Sequence, residues 1–145
     1  MTRKLIITTA IATVLGFASV PAMAGNDVFL EQWGWGNAAG GAQAGNHNLI
    51  GVYQNGIWNG AVSHQNGNHN TAAIGQNGFL NNGETYQNGN GNVAGIGQFG
   101  AGHNAILSQD GNGNIAAGVQ VGTGCNAGVA QHGAGNVAAF VQACP

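Results

Sequence analysis

The chain has 145 residues, of which only two are Lys or Arg, four are Asp or Glu and 28 are Gly. The Lys and the Arg both stand at the very start, so the remainder carries four acids and no Lys or Arg. Because nucleic acids and anionic membrane surfaces are bound through Lys and Arg, this composition argues against both as partners. Low charge also gives little protection against self-association, which suits a polymer subunit.

Residues 1–24 have the features of a secretory signal peptide. A basic start is followed by an apolar stretch over 5–20 and by the small-residue segment 22–24, where a signal peptidase could cleave. A membrane helix is the weaker alternative, because the apolar stretch is short and no stop-transfer segment follows it. We therefore predict export, with residues 25–145 as the mature domain.

After this signal, a glutamine recurs every eleven residues: Gln32, Gln43, Gln54, Gln65, Gln76, Gln87, Gln98, Gln109, Gln120, Gln131 and Gln142. A glycine lies two residues after each of the first ten: Gly34, Gly45, Gly56, Gly67, Gly78, Gly89, Gly100, Gly111, Gly122 and Gly133. An asparagine lies six residues before most of them: Asn26, Asn37, Asn48, Asn59, Asn70, Asn81, Asn92, Asn114 and Asn136. His103 and Cys125 take the remaining asparagine positions. One short unit repeated along the chain predicts a stacked fold without a catalytic pocket.

Each segment from asparagine to glutamine is predicted to be a β-strand. Side chains alternate between the two faces of a strand, so the Asn, a usual Ala, a mostly apolar residue and the Gln share one face. We expect this repetitive face to point inward, and the variable face, which carries three of the four acids, to point outward. The predicted strands span about 26–32, 37–43, 48–54, 59–65, 70–76, 81–87, 92–98, 103–109, 114–120, 125–131 and 136–142.

Two kinds of turn alternate along the chain. Every second turn is rich in Asn, Gly and His, whereas the intervening turns carry bulky apolar groups such as Trp33 and Trp35. The true repeat is therefore 22 residues, with two strands and two unlike turns joined through the recurring glycine. We predict an all-β, amyloid-like β-solenoid of about five and a half coils with two facing, parallel, in-register sheets. Stacked Asn and Gln side chains are expected to form amide ladders between coils.

The repeated residues resemble the curlin repeat of curli fibre subunits. The segment Gln65-x-Gly67-x-x-Asn70-x-Ala72-x3-Gln76 follows the pattern of that repeat. The resemblance implies a secreted subunit that polymerises into an extracellular functional amyloid fibre (a fimbrium or pilus in the broad sense) of a Gram-negative bacterium. It implies roles in cell adhesion and biofilm matrix, with a nucleator subunit and an outer-membrane export channel as partners.

The chain departs from the curli major subunit in three ways, the first being that its repeats are more numerous. The repeat pattern begins directly after the predicted cleavage point, without the export-targeting segment that precedes the repeats of major subunits. Two cysteines, Cys125 and Cys144, lie in equivalent turns of adjacent coils. The extracellular setting favours a disulfide, but the expected Cα separation is borderline, so a bridge and two free thiols both stay open.

No residue pattern in the sequence indicates a catalytic site or a metal site. His47 and His69 are 22 residues apart and should stack in one turn, but two imidazoles without a third ligand make a poor metal site. No nucleophile–base arrangement or close pair of acids is present, so we predict no catalytic residue, no metal and no cofactor. The chain is expected to be a self-assembling structural subunit and not an enzyme. A fibre nucleator (minor curlin) and a soluble β-solenoid binding module are the alternatives.

Overall fold

The computed structural model describes residues 25–145, so the predicted signal peptide over 1–24 lies outside the described residues. The described part consists of eleven strands joined by short turns. The strands are β1 (Asp27–Trp35), β2 (Ala38–Ala44), β3 (Leu49–Ile57), β4 (Gly60–Asn66), β5 (Thr71–Phe79), β6 (Asn82–Asn88), β7 (Val93–Ala101), β8 (Asn104–Asn112), β9 (Ile115–Thr123), β10 (Asn126–Ala134) and β11 (Val137–Cys144). Over these residues the structure contains no helix of the length and apolarity that crossing a membrane requires.

The strands are arranged in two parallel sheets. The odd-numbered strands form a six-stranded sheet in chain order, and the even-numbered strands form a five-stranded sheet. Each strand pairs with the one that lies 22 residues away, in register, so that Gln54 lies between Gln32 and Gln76. The predicted all-β solenoid of 22-residue coils with two parallel sheets is confirmed.

The strand bounds differ from the expected ones near the turns. The first strand was expected at 26–32, but β1 runs from Asp27 to Trp35. The reason is that parallel pairing continues past the glutamine: Gly34 pairs in register with Gly56 of the next coil. A glycine at positive φ thus bends the backbone while the strand pairing continues. For this reason, seven of the ten glycines that were expected in turns lie within the last residues of a strand.

A thin apolar layer fills the space between the sheets. Its largest members, Ile50, Ile74 and Leu107, are fully buried. Buried alanines beside them let the two sheets approach closely. In the five-stranded sheet, Ser63 and Thr85 take the apolar position, and the Thr85 hydroxyl donates to Ser63 Oγ at 2.8 Å, so this buried polar pair is satisfied.

The outer faces of the two sheets are unlike each other. The smooth face, on the six-stranded sheet, has a central row of small side chains: Gly51, Ala73, Gly95, Ala117 and Ala139. The polar face, on the five-stranded sheet, carries a row of exposed or half-exposed amides: Asn82, Asn104 and Asn126. On the same face the Tyr86 hydroxyl donates to the Glu84 carboxylate at 3.0 Å, and this hydrogen bond raises the pKa of the phenol. One face is therefore suited to apolar contact and the other to water.

Candidate assembly site: amide ladders and strand ends

Each inward glutamine makes two kinds of hydrogen bond. Gln54 Nε2 donates to Gln76 Oε1, one coil further along, at 2.7 Å. The same nitrogen donates to the backbone carbonyl of Ala38 in the facing sheet at 3.0 Å. Nine glutamine pairs repeat the first contact, at 2.6–3.0 Å. The glutamines thus form a ladder along the solenoid and also tie the two sheets together, which offsets the cost of burying their amides.

The glutamine ladder has a direction. In every pair the glutamine nearer the N-terminus donates and the one nearer the C-terminus accepts. Gln32 and Gln43, at one end, therefore have side-chain oxygens that receive no amide from a preceding coil within residues 25–145. Gln131 and Gln142, at the other end, each have one Nε2 hydrogen directed at a backbone carbonyl and a second available for a further coil. One end of the solenoid is thus an acceptor end and the other a donor end.

The asparagines bond mainly to the backbone, which corrects the expected amide-on-amide ladder. Asn70 Oδ1 accepts the backbone N–H of Asn92 at 3.0 Å, and Asn70 Nδ2 donates to the carbonyl of Gly89 at 2.8 Å. Amide-on-amide contacts accompany this pattern at some positions, as between Asn81 and Asn59 at 3.1 Å. The physical reason is that backbone groups at the turns also need partners. We call this arrangement the asparagine clamp: residue i holds the N–H of residue i+22 and the carbonyl of residue i+19.

The clamps lie along the two edges of the solenoid. We call the edge formed by the turns after odd-numbered strands the apolar edge, and the edge formed by the turns after even-numbered strands the amide edge. On the amide edge, a second row of asparagines links the turns: Asn68 Oδ1 accepts the N–H of Asn46 at 2.9 Å, and Asn90 Oδ1 accepts that of Asn68 at 3.0 Å. The His47 and His69 rings stack there, with centroids 4.9 Å apart. The described chain groups no three potential metal ligands together.

His103 takes a clamp position on the apolar edge. Its Nδ1 accepts the backbone N–H of Cys125 at 3.2 Å, and its Nε2 lies 3.2 Å from the carbonyl of Phe99. These partners assign the ring hydrogen to Nε2, since Nδ1 must accept. The ring is buried and satisfied: it holds the N–H of residue i+22 as an asparagine does, but its second nitrogen contacts the carbonyl of residue i−4 and not that of residue i+19. The sequence places His103 in the asparagine column of the repeat, and this place is the signal that identifies its role.

Cys125 and Cys144 form a disulfide, with Cα atoms 5.7 Å apart and a sequence separation of 19. Cys125 occupies the asparagine position of the clamp, and Cys144 occupies the position of the repeated glycine, two residues after Gln142. Residues i and i+19 are the pair that an asparagine clamp joins through a hydrogen bond. The disulfide therefore replaces the last clamp of the apolar edge by a covalent bond, and this spacing favours the bridge over two free thiols.

Each turn also contains a second residue at positive φ, which sequence reasoning did not identify. It lies four residues after the glutamine and is Gly in the first turn, at Gly36, and throughout the second half of the solenoid, as at Gly91 and Gly113. In the four turns after the first it is a larger residue with φ of 56–57°: His47, Trp58, His69 and Leu80. Trp and Leu rarely adopt this conformation, which His tolerates better, so packing in the turns must hold Trp58 and Leu80 there.

Four strand edges are unpaired within the described residues. β1 and β2 form the acceptor end, and β10 and β11 form the donor end. Their backbone N–H and C=O groups can pair with another strand, as exposed sheet edges do in general. Apolar residues accompany the acceptor end, where Phe29 and Trp35 are exposed. Both ends thus have the chemistry of an interface.

Comparison with known proteins identifies the repeat. A family model described as Curlin associated repeat matches residues 48–78 and 81–111, which include most of β3 to β5 and of β6 to β8. This match confirms the resemblance indicated by the spacing of Gln, Gly and Asn. No curated protein matches the chain.

Proposed function

Because the chain carries curlin associated repeats, we propose that it is a structural subunit of extracellular, curli-like functional amyloid fibres. The repeat belongs to a family of structural proteins and not of enzymes. The fibres form by head-to-tail stacking of solenoids, and they support cell adhesion and the biofilm matrix. The stack of coils in one subunit continues in the next, and the fibre is a homopolymer of this chain.

The observation that carries this proposal is the complementarity of the two ends. One end has unpaired strand edges with glutamine oxygens, and the other has unpaired edges with glutamine N–H groups. Two donor ends or two acceptor ends cannot continue the glutamine ladder, whereas a donor end on an acceptor end can. Stacking also covers the inward apolar side chains of β1, Val28 and Leu30, which are exposed in the single subunit. The same contacts that connect coils inside the subunit thereby connect subunits.

The route outside the cell is part of the proposal. Residues 1–24 act as a signal peptide for export to the periplasm, and an outer-membrane channel then exports the mature chain. A nucleator subunit provides the first template for polymerisation at the cell surface. The extracellular location agrees with a disulfide between Cys125 and Cys144, since such bonds persist in oxidising compartments.

Polymerisation is tested with purified residues 25–145. We expect a concentration-dependent lag in thioflavin fluorescence, removal of the lag by preformed seeds, and a meridional reflection at ~4.8 Å in fibre diffraction. Ala138→Asp places a charge on the inward face of β11 at the donor end and should block assembly while the monomer stays folded. Ala139→Asp, one residue away on the outward face, is the matched control and should assemble. A wild-type chain that stays folded and monomeric at all concentrations would contradict the proposal and favour the soluble binding module.

A further inference from the structure

The two sheets contain unequal numbers of strands, six and five, so the donor end is stepped by half a coil. We propose that successive copies stack with a half-coil offset, each rotated by about 180° about the fibre axis relative to the previous copy. β1 of the next copy then pairs with β10, and β2 of the next copy pairs with β11. This inference rests on the proposed polymerisation and specifies its interface.

The step at the donor end gives the first reason. If β1 of the next copy paired with β11 instead, β10 would have no neighbour in its sheet, and a gap two strand spacings wide, roughly 10 Å, would interrupt every junction. The backbone groups on both sides of that gap would lack strand partners. The half-coil offset fills the gap with β1. It is sterically allowed because strands of both sheets share the same pattern of inward Asn, Ala, apolar and Gln residues.

The glutamine ladder continues through this junction. In the 22-residue register of the chain, Gln131 comes to lie beside Gln32 of the next copy, and Gln142 beside Gln43. Gln131 and Gln142 supply the available N–H groups, and Gln32 and Gln43 supply the available oxygens. The direction of donation is the same as inside the subunit.

Phe140 gives a second, steric reason. Its ring lies over Gly118 in the neighbouring strand, where even a Cβ atom would be 2.0 Å from Phe140 Cζ. In the half-coil register the residue on the other side of Phe140 is Gly41 of the next copy, which again has no side chain. In the unrotated register, in which β1 of the next copy pairs with β11, this residue is Leu30, which is large and points inward. The half-coil register thus places the bulky inward ring between two glycines, and the alternative places it against a second bulky side chain.

Asn126 gives a third reason, on the polar face. Asn82 Nδ2 donates to Asn104 Oδ1 at 3.0 Å and Asn104 Nδ2 donates to Asn126 Oδ1 at 3.1 Å, so the next donor in the row is Asn126 Nδ2. The half-coil register places Asp27 of the next copy beside it. An Asn-to-Asp rung of this kind already exists inside the chain, between Asn88 and Asp110 at 2.9 Å. The unrotated register would instead place the Asp27 carboxylate beside the exposed side chain of Val137.

Two double-cysteine variants distinguish the registers. Val141→Cys with Ala42→Cys places thiols on neighbouring strands only in the half-coil register, and Val141→Cys with Glu31→Cys does so only in the unrotated register. Cα atoms of neighbouring strands are ~4.8 Å apart, within the range of a disulfide. Neither pair can close inside one copy, because positions 42 and 31 lie at the opposite end of the solenoid from β11, roughly 24 Å away. All three positions face outward and are exposed or half-exposed, so the fold should tolerate cysteine.

Fibres of both variants are grown under mildly reducing conditions that leave the Cys125–Cys144 disulfide intact. They are then mildly oxidised. The products are analysed on non-reducing gels and by peptide mapping. We expect a ladder of covalent multimers, at least ten-fold stronger, from the Ala42→Cys pair. A ladder from the Glu31→Cys pair, or from neither pair although the fibres give the cross-β reflection, overturns the half-coil register and leaves the proposed function standing. Failure of both variants and of the wild type to form fibres overturns the proposed function itself.

The axial repeat provides a second measurement that needs no substitution. Half-coil stacking gives an axial rise of roughly 26 Å per copy and a true repeat of two copies, roughly 53 Å. Unrotated stacking gives roughly 29 Å per copy and a repeat of one copy. A reconstruction of wild-type fibres with all copies in the same orientation would overturn the inference even if cross-linking were ambiguous.

Discussion

The amide edge and the apolar edge hold the same backbone groups with different side chains. On the amide edge every clamp position is an asparagine, from Asn26 to Asn136. On the apolar edge the column begins with three asparagines and continues with His103 and then Cys125. Asn and His at this position accept the backbone N–H of residue i+22, and Cys at this position is bonded to residue i+19. The comparison teaches that the fold requires a partner for the turn backbone and that the identity of this partner can vary.

The largest expected effect comes from a requirement that both edges share. An alanine Cβ at Gly89, on the amide edge, would lie 1.9 Å from the carbonyl oxygen of Gly111, and one at Gly100, on the apolar edge, 1.9 Å from that of Gly122. Backbone atoms cannot move aside cheaply, so Gly89→Ala and Gly100→Ala should each abolish cooperative folding, as followed by circular dichroism and denaturant titration.

The control for these variants lies in the same turn. Gly91 also has positive φ, at 65°, but no atom lies within 4 Å of a Cβ placed there. Gly91→Ala should therefore cost only the conformational penalty of about 1–2 kcal/mol. Equal effects of Gly89→Ala and Gly91→Ala would show that positive φ, and not contact between coils, explains the glycine at both positions.

The next largest effect concerns the amide edge alone. Asn70→Ala leaves the buried N–H of Asn92 and the half-buried carbonyl of Gly89 without their clamp partner, at about 2 kcal/mol and about 1 kcal/mol, so we expect a loss of about 3–4 kcal/mol. Asn66→Ala removes only an exposed amide contact to Asn88 on the same edge and should change stability by less than about 0.5 kcal/mol. Urea titration of the monomer measures both. A small effect of Asn70→Ala would mean that water can replace the clamp.

The covalent clamp predicts a somewhat smaller effect, confined to one end. Replacing Cys125 and Cys144 by Ser removes a bridge across 19 residues and should reduce the free energy of unfolding by about 3 kcal/mol. Hydrogen exchange should show faster opening of β11 and unchanged protection of β5. The double variant Cys125→Asn with Cys144→Gly rebuilds an asparagine clamp and should recover about 1 kcal/mol of the loss. No recovery would show that the last clamp of the apolar edge needs the covalent bond.

The smallest effect tests whether the edges can be made alike. His103→Asn should accept the N–H of Cys125 as the imidazole does, and should change stability by less than about 1 kcal/mol. His103→Ala leaves that N–H unpaired inside the protein and should cost about 2 kcal/mol or more. Thermal denaturation of the two variants gives the comparison. Equal losses in both would mean that the imidazole contributes through its size and not through Nδ1.

The periodicity of the sequence was sufficient for the fold and for the inward faces. A glutamine at every eleventh residue, from Gln32 to Gln142, predicts the register, and the alternation of two unlike turns predicts the 22-residue coil. The apolar position of each strand, such as Ile74, followed from the alternation of side chains. These features depend on spacing alone, which is visible in the sequence.

The partners of the side chains were harder to predict. Asn70 has a backbone carbonyl and a backbone N–H as partners, and which backbone groups lie near it depends on the path of the turn. The second positive-φ residue, as at Trp58, was missed because it is not always glycine. The disulfide stayed undecided because the spacing of Cys125 and Cys144 gains its meaning only when the contact between residues i and i+19 is known.

The two sheets have unequal numbers of strands and unlike outer faces. Together these two features affect the lateral contacts between filaments. With a half-coil offset at each junction, the smooth face of one copy continues into the polar face of the next, so each broad side of a filament alternates between apolar and hydrophilic stretches roughly 26 Å long. Both broad sides therefore carry apolar stretches, staggered by one copy. Lateral association can then extend from filament to filament across a bundle and does not end once two filaments have paired.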